Sequence, residues 1–83
     1  DVLDRALVDL AAFYRDVLVD QLGAQVDLVN VDMASTVREL AAASTPEATL
    51  RRIGAVLAAR EAIDGNVAPL LAVEAMCVAL RAQ

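Results

Sequence analysis

The segment from Asn66 to Leu80 carries one charged residue, Glu74, among Val67, Leu70, Leu71, Val73, Met76, Val78 and Leu80. A helix that is apolar around most of its circumference is stable in water only where neighbours cover it. A chain of 83 residues is small, and a domain of this size buries only about 60% of the surface its unfolded form exposes. The segment therefore predicts packing against polypeptide outside the chain, with helices of other subunits as the natural cover.

The rest of the sequence reads as all-α, a small four-helix bundle. Hydrophobic residues make up 59% of the chain, above the roughly 45–50% of soluble domains, and much of the excess is alanine, which favours helix without adding volume. Aromatics are limited to Phe13 and Tyr14, and the β-branched residues lack the strict alternation of a half-buried strand. Leu3, Leu7, Leu10, Tyr14, Val17 and Gln21 fall at alternating spacings of four and three, a heptad-like seam that predicts a first helix over Val2 to Leu22 at the edge of the bundle. Gly23 is its terminator.

A loop to about Asn30 follows, and Asn30 or Asp32 is the expected cap of a second helix with Met33, Val37 and Leu40 inward. Ser44-Thr45-Pro46-Glu47 is the sharpest boundary: Thr45 as cap, Pro46 in the first helical position, Glu47 near the positive end of the helix dipole. The third helix runs to Asp64, with Leu50, Ile53, Val56, Leu57 and Ile63 as its stripe and Gly65 as its end. Gly54 within it costs about 1 kcal/mol relative to alanine, which predicts close approach of a neighbour. Asn66 is expected to cap the fourth helix, with Pro69 in its first turn.

Side chains for catalysis are scarce. The chain has no histidine, which removes Ser-His and Cys-His nucleophiles and imidazole metal sites, and one cysteine, Cys77, which cannot build a zinc site or an internal disulfide. Cys77 lies in the apolar last helix and reads as a buried, inert thiol. The glycines, Gly23, Gly54 and Gly65, form no phosphate loop. No cofactor or metal is expected, and no catalysis by this domain. A net charge of −5 without lysine would repel a phosphate backbone, disfavouring direct nucleic-acid contact. No apolar run reaches the roughly 18 to 20 residues of a membrane span, and the cysteine usage makes the cytoplasm the default. Because the chain opens at Asp1, already in helical register, residues 1–83 read as one domain of a longer polypeptide.

The acidic residues of the first helix, Asp4, Asp9, Asp16 and Asp20, read as a solvated face. Phe13-Tyr14-Arg15-Asp16 reads equally as an interface hot spot, since aromatics and arginine are enriched there, or as the bulkiest part of a small core. Glu74 must reach solvent or an arginine, with Arg60 and Arg81 as candidates, because an unpaired buried charge costs several kcal/mol.

Two segments in this order, Phe13-Tyr14-Arg15-Asp16-Val17-Leu18 and Ala59 through Met76, resemble the C-terminal helical domain of bacterial clamp-loader proteins, most closely the delta-prime subunit of DNA polymerase III in high-GC bacteria. The likeness spans essentially the whole chain. The asparagine before the last helix, the leucines after it and the following acidic residue correspond to Asn66, Leu70, Leu71 and Glu74, while Ala68 stands where the family often has a second asparagine. The resemblance implies a collar domain: five such helical domains ring together to hold the loader pentamer, with ATP and DNA handled by other domains. The partners implied are the other clamp-loader subunits, with no small-molecule substrate, and the candidate interface comprises Phe13, Tyr14, Asn66, Leu70, Leu71, Glu74 and Met76.

Two other classes compete. A carrier protein would need a phosphopantetheine serine, but Ser35 lies between Ala34 and Thr36 and lacks the Asp-Ser-Leu context such carriers share. A generic helical dimerisation module matches the composition equally well, and partner choice separates it from the collar.

Overall fold

The computed structural model describes residues 1–81. It is all-α: α1 (Val2–Gln21), α2 (Ala34–Ala43), α3 (Pro46–Asp64) and α4 (Pro69–Arg81), with one 3-10 turn, Val31–Met33, ahead of α2. No strand occurs among the described residues.

The helix ends follow local chemistry. Asp1 opens α1 by accepting the Asp4 amide at 2.9 Å on its carboxylate. Thr45 opens α3 in the same way, its Oγ1 accepting the Ala48 amide at 3.1 Å, with Pro46 in the first turn as expected. Leu22 closes α1 and Gly23 follows at φ +67, where its amide reaches the Asp20 carbonyl and the Ala24 amide reaches Val19. These paired bonds form a Schellman terminator. The cap of α2 differs from expectation. Neither Asn30 nor Asp32 supplies a side-chain cap, because a 3-10 turn intervenes, and the Asn30 amide and side chain turn to Asp16 instead.

α1 is the element the others share, not an edge. Leu7 in its first half is buried with Val56 and Ala59 of α3 and Met76 of α4, flanked by Leu3, Leu10 and Tyr14. Val17 in its second half is buried with Val37 and Ala41 of α2, flanked by Phe13 and Leu40. The heptad-like seam is thus one stripe serving two small cores in succession. Gln21 at its end joins three helices: its Nε2 donates to the Ala41 carbonyl at 3.3 Å and to Ser44 Oγ at 3.1 Å, and its Oε1 accepts from the fully buried Thr49 hydroxyl at 2.7 Å.

The expected α3 stripe splits. Val56 is buried and Ile53 and Ile63 are half-buried, but Leu50 and Leu57, seven residues apart, face solvent, and Met33 before α2 is also exposed. The buried face of α3 is built from the small residues Ala48, Thr49 and Ala59 around Val56. Among the described residues no neighbour crowds Gly54, where an added Cβ would meet nothing within 4 Å, so the expected close approach is not found there.

Dimensions explain why α4 stays partly bare. The Cα atoms extend over 38 × 26 × 16 Å. Helices pack about 8–10 Å apart, so enclosing one on every side takes three layers, more than about 20 Å of Cα extent. The thinnest dimension admits two.

Candidate protein-interaction surface

The connection from α3 to α4 sets the presentation of the last helix. Gly65 caps α3 with an ordinary φ of −85, and Asn66 adopts the left-handed conformation at φ 70. The Asn66 amide reaches the Ile63 carbonyl at 3.0 Å and the Val67 amide reaches Ala62 at 2.9 Å. Asn66 is therefore the terminator of α3, not the cap of α4. Asparagine fits because its short polar side chain tolerates the left-handed region better than other non-glycine residues. The four-residue link then folds α4 back beside α3.

This register divides the apolar circumference of α4. Ala72 and Met76 are buried, and Val73 and Leu80 pack against the same core. Leu70 and Leu71 are 71% and 61% exposed, and Val78 and Val67 are exposed beside them. A recess of about 320 Å³ runs along the seam of α3 and α4, lined mostly by alanines with Val67, Leu71 and Met76 at its sides. Small side chains leave such a seam shallow, and a partner helix can approach it closely.

Of the candidate residues inferred from sequence, Leu70, Leu71 and Glu74 lie on the outward side of α4, with Asn66 exposed at its approach. Met76 is only 8% exposed and belongs to the chain's own core. Phe13 and Tyr14 are half-buried, their rings edge to face at 5.5 Å, and they divide between the two cores. Glu74 satisfies its charge by facing solvent. Arg60 serves another carboxylate: its Nε and Nη2 donate to Asp4 at 2.9 and 3.3 Å, tying the start of α1 to α3. That bond holds the Asp4 carboxyl below its usual pKa and raises the guanidinium's. Cys77 is exposed, contrary to the buried reading, because it follows inward-facing Met76 by about 100° of helix rotation.

Asp16 departs furthest from the expected solvated face. It is fully buried, accepting the amides of Val29 at 2.9 Å and Asn30 at 2.7 Å, with the Arg15 guanidinium at 3.0 Å. Burial pushes its pKa up, but the two amides, the guanidinium and the Asn30 side chain together bring it below the ordinary carboxylate value. Arg15 also reaches the Asp27 carbonyl at 3.0 Å. Asp16 and Arg15 thus fasten the α1–α2 connection onto α1. The adjacent Arg15-Asp16 pair, in the half of α1 that faces the connection, is the only sequence signal of this role, and nothing in it names the amides.

Among the described residues no group of three histidine, cysteine, aspartate or glutamate side chains is placed to hold a metal ion, and no helix is long and apolar enough to cross a membrane. A family model described as DNA polymerase III, delta subunit, C terminal matches residues 4–78. No curated protein and no solved structure matches the chain.

Proposed function

Since the chain belongs to the family of C-terminal domains of the DNA polymerase III delta subunit, we propose that within the clamp loader it acts as a non-catalytic assembly domain, joining its own subunit to the helical domains of neighbouring ones. The observation that carries this reading is the outward side of α4, where Leu70, Leu71 and Val78 are exposed and Leu71 borders the alanine-lined seam with α3. Apolar burial there would hold subunits together and orient their other domains for opening and loading a sliding clamp. The delta-prime place among the subunits is supported by the likeness of Phe13–Leu18 and Ala59–Met76; the matched family's description names the delta subunit.

Mixing the chain with the remaining loader subunits and sizing the product tests the proposal. A hetero-complex that Leu71→Asp abolishes is the expected result. A symmetric dimer that ignores the loader subunits would instead support a dimerisation module. Assembly that requires the delta subunit of the same loader, and fails when delta-prime is already present, would support the delta-prime place.

A further inference from the structure

A second recess, of about 610 Å³, opens between α1 and the approach to α2, lined by Ala6, Asp9, Leu10, Phe13, Asn30 and Met33. No residue of α3 or α4 lines it. Its surroundings are both apolar and acidic. Val26, Val29, Val31 and Met33 are exposed along the connection that Asp16 fastens in place. Residues 1–33 hold seven aspartates against two arginines and so carry the whole net charge of −5, while the other fifty residues hold five acidic and five basic side chains.

Both arginines of this half are engaged. Arg15 is held by Asp16 and the Asp27 carbonyl, and Arg5 pairs with one oxygen of Asp9 at 3.2 Å. Among the described residues the carboxylates of Asp27 and Asp32 have no basic partner, and Asp9 Oδ2 has none. A second copy of this chain would set aspartate against aspartate here, and a nucleic-acid backbone would be repelled more strongly. Charge complementarity selects a partner with basic side chains, and the apolar recess selects an aliphatic anchor among them.

We propose that this recess docks a basic amphipathic segment of a partner protein, an aliphatic side chain entering over Phe13 and Leu10 while lysine or arginine meets Asp9 and Asp32. The surface is separate from the outward side of α4, so the two can be tested apart. The 15N-labelled chain would be titrated with a synthetic leucine–lysine helix of about 14 residues, about four turns long, and with its leucine–glutamate counterpart. Saturable shifts of the Ala6, Phe13 and Met33 amides with the lysine peptide alone are expected. The exposed double variant Asp9→Asn/Asp32→Asn should weaken binding roughly tenfold at low salt, Met33→Ser should weaken it too, and Leu71→Asp should leave it unchanged. The proposal is overturned if no peptide binds, if the glutamate peptide binds equally, if the shifts fall on α4, or if the double variant binds like the parent.

Discussion

Asp16 shows how much one side chain can organise in a chain this small. Its carboxylate replaces water for two backbone amides, those of Val29 and Asn30, in a connection that otherwise has little regular structure. Asp16→Ala would leave both donors without their acceptor, and the expected cost is about 2–4 kcal/mol of stability by urea unfolding, with shifts concentrated in residues 22–33. Because the folded pKa lies below the unfolded one, this contribution is complete above about pH 4–5 and is lost as pH falls through the lowered folded value. Asp16→Asn should therefore flatten the acid limb of the stability–pH curve; an unchanged limb would place the acid-sensitive group elsewhere.

At the scale of elements, the ends and interiors of helices obey different rules. Asn66 occupies a left-handed position that glycine prefers and a β-carbon resists. Asn66→Gly should be neutral or gain a few tenths of a kcal/mol, whereas Asn66→Ala should cost about 1 kcal/mol; thermal melts of the two variants give the comparison. Gly54 is the converse case, helical with open space around its absent Cβ. Gly54→Ala should stabilise the isolated chain by about 1 kcal/mol, and a loss of loader assembly in the same variant would locate a partner's close approach at that residue. The boundaries at Gly23 and Thr45–Pro46 are legible in the sequence because caps and terminators use the nearest few residues. The start of α2 is not, since Asn30 is recruited by Asp16, fourteen residues away.

For the whole molecule, two helix layers leave no way to surround an apolar helix, and the exposed side of α4 follows from that geometry. Leu71→Asp and Met76→Asp separate the two sides of α4. The first should preserve circular-dichroism helicity and remove assembly. The second buries a charge among Leu7, Val56 and Ala59 and should unfold the chain, at a cost of about 3 kcal/mol or more, as for other unpaired buried charges. If both variants keep helicity and assembly, the interface is not on α4.

Helix content, the seam of α1, the caps at Thr45 and Gly23 and the surplus apolar surface of the last helix are consequences of residues within a turn or two of one another, and are legible without coordinates. Which side of α4 is outward, that Leu50 and Leu57 face water while Val56 does not, that Arg60 pairs with Asp4, and that Asp16 is buried emerge only when the helices pack together. The physical reason is that an apolar residue on a helix apolar nearly all round has no inward direction of its own. Only the rotation imposed by the Asn66 terminator and by packing against α1 and α3 supplies one.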